Sequence, residues 1–311
     1  MWRLRPDERR VTLLMSMTPT ILWRCRDRTF HVGRRPLVMG ILNVTPDSFS
    51  DGGRFHDIEA AVRRGIEMAD EGADMVDVGG ESSRPGAAPV SPEEEAQRVI
   101  PVIRALAEVF STRSAPPAIS VDTRKADVAA AALEVGARII NDVTALEGDP
   151  EMPGVARRFG AGVVLMHRRG EPATMQQNPQ YDDVVREVAG ALEGRIAALT
   201  QAGLATDTMA LDPGIGFGKT SEHNVTLLAN LGVLTALGRP VLVGVSRKRF
   251  IGIITGRDVE HRRAGSLACA VWAAAHGAHI WRVHEVKESV DAARLVAALN
   301  GETVEWTGSI R

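Results

Sequence analysis

Cysteine is nearly absent: Cys25 and Cys269 are the only two, far apart in the chain and in no metal-ligand spacing. A disulfide framework or a cysteine-bound zinc is thereby excluded, and two reduced thiols in a cytoplasmic protein are expected. Aromatic residues are scarce, at 4% with a single tyrosine, which removes the stacking platforms that single-stranded nucleic acid needs. The net charge is −2, so no general basic surface exists and nucleic acid is not an expected partner. Long apolar runs are missing too. The longest, Leu267 to Ala275, is about half of what a bilayer-spanning helix requires, so no membrane partner is expected. The N-terminus carries Arg3, Arg5, Arg9 and Arg10, but the apolar piece Val11–Met15 is too short for a signal-peptide core. Met15 and Met17 stand as alternative start residues.

What is present is an ordinary globular balance, 44% apolar and 24% charged over 311 residues. That length suits one large α/β barrel or two smaller domains. Eight apolar runs read as strands: Leu37–Leu42, Met75–Val78, Ala118–Val121, Arg138–Ile140, Gly162–Met166, Met209–Leu211, Val241–Val243 and His279–Val283. Helical patterns alternate with them at Ile58–Glu71, Pro92–Phe110, Ala126–Val135, Tyr181–Ala202, Glu222–Leu237, Ala264–His276 and Ser289–Leu299. Fully apolar strands alternating with helices imply a parallel sheet covered by helices. Eight units predict a single (β/α)8 TIM barrel rather than an open doubly wound sheet. The expected organisation is an N-terminal extension over residues 1–35 and one barrel domain over 36–311. The extension is either partly disordered or the product of an upstream start, and is placed to close the barrel bottom. The pairs Gly72-Ala73, Gly136-Ala137 and Gly277-Ala278 suit helix C-caps, a structural role only.

The chemistry lies where the strands end. Strand one delivers Asn43, and strand two runs through Asp77 into Gly79-Gly80-Glu81-Ser82-Ser83-Arg84-Pro85-Gly86. The next strands deliver Asp122, Asn141 with Asp142, His167 and Asp212. The last two deliver Ser246-Arg247-Lys248-Arg249, then Arg282 and His284. One Asp after a strand is commonly a cap for the next helix. A complete set converging on one barrel face is a site. Asp122, Asn141 and Asp212 supply acceptors and an amide for a flat heterocycle bearing N–H and NH2 groups, and Lys248 supplies a donor. Arg84, Arg282 and His284 suit phosphate oxygens, with Asn43 able to ligate a hard cation. The combination suggests an activated heterocycle with a diphosphate leaving group. A lone Asn ligand implies that any Mg2+ leans mainly on diphosphate and water.

Two other motifs fail on spacing. Gly214-Ile215-Gly216-Phe217-Gly218-Lys219-Thr220 has Pro213 where a Walker A loop needs Gly, and reads as a flexible loop after a strand. His167 has no nucleophile motif beside it and reads as a packing or anchoring residue. His223, His261, His276 and His279 show no ligand spacing and read as surface or helix residues.

From about Leu37 to Leu299 the chain resembles the dihydropteroate synthase family. The carrying segments are Met39-Gly40-Ile41-Leu42-Asn43-Val44-Thr45-Pro46-Asp47-Ser48-Phe49-Ser50-Asp51-Gly52-Gly53 and Gly79 through Gly86. Ser120-Val121-Asp122-Thr123, Ile140-Asn141-Asp142, Leu211-Asp212-Pro213-Gly214, Ser246 through Arg249 and Arg282-Val283-His284 continue them. The resemblance implies condensation of 6-hydroxymethyl-7,8-dihydropterin diphosphate with 4-aminobenzoate in folate biosynthesis, by an SN1-like step, with Mg2+ as cofactor. It implies that Asp122, Asn141, Asp212 and Lys248 hold the pterin. Asn43 would meet Mg2+, and Arg84, Arg282 and His284 the diphosphate. Phe49, Ser83, Pro85 and the Arg249 region would frame the aminobenzoate. The catalytic roles fall on Lys248, Asp51, Asp122 and Arg84, with Asp51 on a mobile first loop that acts as a lid. Three departures are visible: Ser83 for the usual Thr, Glu285 for Asp after His284, and Arg168-Arg169 after His167. They bear on aminobenzoate affinity and on the sulfonamide response more than on the reaction. The apolar helix Ala264–Ala275 implies a homodimer face. The alternatives are a non-catalytic pterin-binding paralogue and a pterin-dependent methyltransferase. The methyltransferase has no need of the first-loop, Ser-Ser-Arg-Pro or Ser-Arg-Lys-Arg segments.

Overall fold

The computed structural model describes residues 20–45, 54–82, 90–170 and 174–302. An antiparallel hairpin of β1 (Ile21–Cys25) and β2 (Arg28–Val32) precedes the main body. The eight-stranded sheet then comprises β3 (Leu37–Asn43), β4 (Met75–Gly79), β5 (Ala118–Asp122), β6 (Ile139–Asp142), β7 (Gly162–Met166), β8 (Met209–Asp212), β9 (Leu242–Val243) and β10 (Ile280–Val283). Their order is β8-β7-β6-β5-β4-β3-β10-β9, parallel at every pairing. A parallel bridge between Leu211 and Val241 joins β8 to β9 and closes the ring. This is the (β/α)8 barrel the strand pattern predicts.

Alternation along each strand divides the apolar residues between two cores. Val38, Leu42, Val76, Val78, Ile119 and Val121 face outward, in one cluster with the surrounding helices. Met39, Met75, Ala118, Ile139, Val164 and Ala210 face inward and share a second cluster with Trp23, Cys25, Phe30 and Val32 of the hairpin. The hairpin thus seals the N-terminal end of the barrel. Trp23 is fully buried and its indole N–H donates to Thr208 O at 2.8 Å. Arg24 grips Asp207 through two contacts of 3.0 Å.

The helices are α1 (Arg54–Asp70), α2 (Pro92–Ser111), α3 (Ala126–Glu134), α4 (Met152–Phe159), α5 (Val184–Gln201), α6 (Ser221–Ala229), α7 (Gly232–Thr235), α8 (Arg249–Thr255), α9 (Arg263–Ala275) and α10 (Val286–Leu299). The sequence pattern runs α6 and α7 together as one helix, but Asn230 ends α6 and its N–H turns back to Leu227 O. It also places α5 three residues early; Asp183 caps the helix by accepting the N–H groups of Val185 and Arg186. α4 and α8 go unread because neither is long enough to show helical periodicity. The three Gly-Ala pairs do end helices. Gly72, Gly136 and Gly277 have φ of 95°, 122° and 102°, and each following Ala donates back across the turn, as Ala73 does to Met68 O at 3.0 Å. That is the left-handed cap only glycine adopts at little cost.

Candidate active site

Parallel register brings the polar strand ends to one level. Asn43 pairs with Gly79, Gly79 with Asp122 and Asp122 with Asn141, so four neighbouring strands contribute one rung at the C-terminal mouth. Asp77 sits one inward position deeper. It is an acid in the otherwise apolar strand Met-Val-Asp-Val-Gly, with no exposed surface.

Arg282 organises this layer. Its Nε donates to Asp77 Oδ2 at 2.6 Å and its terminal amine to Asp122 Oδ2 at 2.6 Å. Asn141 donates its side-chain amide to Asp77 Oδ2 at 2.9 Å. The result is a continuous chain, Asn141–Asp77–Arg282–Asp122, across four strands. Burial pushes the Asp122 carboxyl up to about 7, although the Arg282 guanidinium opposes the rise. Burial would lower Arg282, but Asp77 and Asp122 outweigh it and keep the guanidinium charged. Asp77 Oδ1 and Ser120 Oγ are buried without a hydrogen-bond partner among the described residues. The arginine is therefore seated beneath the mouth between two acids, deeper than the diphosphate role alone implies.

Across the barrel, Asp212 and Lys248 complete the wall. Asp212 is 6% exposed; its Oδ1 accepts the Gly214 N–H at 2.7 Å, and burial raises its carboxyl above the ordinary range. Lys248 occupies the N-cap position of α8, with its Nζ 4.2 Å from the centroid of the Phe217 ring. Burial lowers the Lys248 ammonium to about 8, with Asp212 opposing the shift. A lysine poised there can donate to a ring carbonyl or accept a proton from a ring nitrogen.

The loop after β8 is not the flexible segment the sequence suggests. Lys219 is 3% exposed, and its Nζ reaches Gly214 O at 3.1 Å, Phe217 O at 3.0 Å, His167 O at 3.3 Å and His167 Nδ1 at 3.0 Å. Gly216 N–H donates to Asn224 Oδ1 at 2.7 Å. Gly214 has φ of 67°, and a Cβ there would lie 1.8 Å from His167 O. The glycines permit a tight ring, and Lys219 cross-links it. His167 is thus an anchor; burial and Lys219 together lower its imidazole to about 3. His279 is also not a surface residue: it is 4% exposed and its Nδ1 accepts the Val241 N–H at 3.1 Å.

His284 lies one residue past β10, half-buried, with Nδ1 2.9 Å from Ser246 Oγ. Arg249 begins α8 and is exposed. Asn43 is half-buried at the end of β3. Phe49, Asp51, Ser83, Arg84 and Pro85 lie outside the described residues, so the aminobenzoate frame and the first-loop lid are not part of the described geometry. Sequence reading assigned no role to Asp77, Phe217 or Lys219. The signal for Asp77 was an acid inside a fully apolar strand; the other two give none, since only folding brings their loop against Lys248 and His167.

Among the described residues no group of three or more His, Cys, Asp or Glu side chains could hold a metal. Asn43, to which the resemblance assigns a cation, offers a single carboxamide at the end of β3, and a Mg2+ held there would rest mainly on phosphate oxygens and water.

An inward polar layer above an apolar plug, at the C-terminal mouth of a parallel barrel, defines a barrel enzyme that binds a flat heterocycle. The pterin-binding enzyme family model matches residues 39–284. Dihydropteroate synthase of Escherichia coli (strain K12) is 51% identical over 263 residues, covering 85% of this chain and 91% of the relative. Dihydropteroate synthase of Xanthomonas albilineans, solved with 4-aminobenzoic acid, superimposes with a TM-score of 0.82 at 47% identity. It covers 91% of this chain and 99% of its own. A structure of dihydropteroate synthase from the same organism, in complex with 7,8-dihydropteroate, gives 0.80 at 45% identity, over 90% and 99% of the two chains. The chain belongs to the dihydropteroate synthase family.

Proposed function

We propose that the barrel mouth condenses 6-hydroxymethyl-7,8-dihydropterin diphosphate with 4-aminobenzoate, releasing diphosphate and forming 7,8-dihydropteroate. The protein is in that case a transferase of folate biosynthesis and a target for sulfonamides. The observation that carries the reading is the Asn141–Asp77–Arg282–Asp122 chain facing Asp212 and Lys248. It presents alternating acceptors and donors to a planar ring from both sides of the barrel. Asp122, Asn141 and Asp212 take the ring N–H and NH2 groups, and Lys248 meets the ring carbonyl or nitrogen.

The step is SN1-like: the C–O bond to diphosphate breaks and the pterin delocalises the cation left behind. Catalysis then requires charge stabilisation at both ends of the breaking bond. Asp122 lies under the developing positive charge, and Asp51 of the first loop joins it. Asn43, Arg84, Arg282 and His284 receive the departing diphosphate. When bound there, Mg2+ neutralises part of the diphosphate charge. The amine of 4-aminobenzoate, framed by Phe49, Ser83, Pro85 and Arg249, attacks the methylene carbon. A homodimer forms through α9, where Val271 and Trp272 are exposed. The free thiols Cys25 and Cys269 suit the reducing cytoplasm, and no helix among the described residues is long and apolar enough to cross a membrane.

The test supplies purified protein with the pterin diphosphate, 4-aminobenzoate and Mg2+ and follows diphosphate release. Release that depends on aminobenzoate is expected. Pterin binding without such release would identify a non-catalytic pterin-binding protein instead.

A further inference from the structure

Ser246 makes contacts with both His284 and Glu285 between the ends of β9 and β10. Ser246 is 6% exposed. Its Oγ lies 2.9 Å from His284 Nδ1 and 3.1 Å from Glu285 Oε2, and it faces the His284 backbone N–H at 3.3 Å. A hydroxyl has one proton to give and two acceptor positions. The backbone N–H must donate, which fills one acceptor position. Glu285 can only accept while ionised. Burial would raise its carboxyl, but hydrogen bonds from Arg247 and Ser246 outweigh that and hold it below the ordinary range. The single Ser246 proton therefore goes to Glu285. The remaining acceptor position of Oγ then takes Nδ1–H, and the hydroxyl is saturated. The reverse assignment, with Ser246 donating to Nδ1, would leave an oxygen lone pair facing the Glu285 carboxylate at 3.1 Å.

The same carboxylate holds the turn that carries Lys248. Glu285 Oε1 accepts from Arg247 Nε at 2.6 Å. Arg247 has φ of 58°, a left-handed conformation that a side-chain-bearing residue keeps only when its surroundings enforce it. Its backbone N–H is fixed by Ser266 Oγ at 2.9 Å. Glu285, one methylene longer than the Asp expected after His284, thus reaches Ser246 with one oxygen and Arg247 with the other.

We propose that Ser246 and Glu285 are positioning residues that act on the leaving diphosphate through His284. They keep the ring proton on Nδ1, so that Nε2 is the ring atom presented to the anionic group. When Nε2 also carries a proton, the ring charge is balanced through Ser246 by Glu285, and Nε2–H donates to a diphosphate oxygen. This is the orientation logic of a carboxylate-supported histidine, with a hydroxyl inserted between acid and ring. The inference rests on the assignment of His284 to the diphosphate.

The experiment compares wild type, Ser246→Ala, Ser246→Thr, Glu285→Gln, Glu285→Asp and His284→Gln. It reads inorganic diphosphate affinity with Mg2+ by calorimetry, kcat and KM for both substrates, and 15N shifts of labelled histidines. His284→Gln identifies the His284 signals, and thermal melting verifies folding. Ser246→Ala and Glu285→Gln should each weaken diphosphate binding and lower kcat by about tenfold, the low end of losses at such supporting positions. The KM for 4-aminobenzoate should stay within about twofold in both. Ser246→Thr and Glu285→Asp, which keep the hydroxyl and the charge, should recover most of the loss. The 15N shifts should place the proton on Nδ1 in wild type and move it in Ser246→Ala. Unchanged diphosphate affinity, kcat and 15N shifts in Ser246→Ala and Glu285→Gln, with His284→Gln impaired, would overturn the inference and leave the reaction standing. Unchanged diphosphate affinity in His284→Gln would overturn both the histidine assignment and the inference, whereas loss of aminobenzoate-dependent turnover in wild type alone strikes the proposed reaction.

Discussion

Lys248 concentrates the residue-scale chemistry: its ammonium is lowered to about 8 by burial, with Asp212 opposing the shift, and its Nζ lies over the Phe217 ring. Lys248→Ala removes a preorganised donor and should reduce kcat/KM by a factor corresponding to about 2–4 kcal/mol. Near-wild-type kcat/KM would take Lys248 out of the site. The pH profile gives a second test. The protonated form is the donor, and its proton is lost as pH rises through about 8, so kcat/KM should fall on the alkaline side with an apparent pKa near that value. In Lys248→Arg the guanidinium stays charged, so this limb should disappear from whatever activity remains. An alkaline limb that persists there would assign it to another group. Much of this was readable residue by residue, because Asp122, Asn141, Asp212 and Lys248 each follow an apolar run. Asp77 is the instructive exception. Its sequence position marks only a buried acid, while its value comes from Arg282, which lies 205 residues away in sequence.

At the scale of elements, the loop after β8 shows why spacing alone misleads. Gly214 to Thr220 carries the composition of a mobile loop, yet Lys219 ties it to two of its own carbonyls and to His167 beyond β7. Lys219→Met keeps the length of the side chain and removes every one of these bonds. Buried acceptors left unpaired cost about 1–3 kcal/mol each before relaxation. The variant should therefore lose stability on that order in denaturant titration and raise the KM for the pterin substrate through displaced Phe217 and Gly214. Unchanged stability would mean that the ring holds its shape without Lys219. The start of α2 was legible, with Ser91 as its cap, whereas that of α5 was misplaced although Asp183 caps it. α4 and α8 were not legible, since eight and seven residues are too few for periodicity to emerge.

For the whole molecule, the barrel is stabilised from below and extended outward on one side. Trp23 fills the N-terminal end among inward residues of the strands, and Trp23→Ala should destabilise the fold by roughly 3–5 kcal/mol through the cavity it leaves. A loss confined to the hairpin, with the barrel melting as before, would show that the plug is not part of the cooperative unit. On the outer surface, Trp272 is 52% exposed on α9, stacked on His276 with ring centroids 4.2 Å apart. Trp272→Asp should shift the sedimentation of the protein from dimer to monomer while leaving its melting midpoint at high dilution nearly unchanged. A single species of unaltered mass in both proteins would exclude α9 as the dimer face.

Sequence by itself determined the eight strands, the barrel class, the family and the polar residue at nearly every strand end. Those features are local: an apolar run bounded by turn residues reports its own burial, and a charged residue beyond it reports its own exposure to a site. Tertiary structure alone decided which acids Arg282 bonds, how Lys219 holds its loop and which groups surround the Ser246 hydroxyl. Each depends on atoms brought within about 3 Å from strands distant in sequence, and parallel register sets that proximity.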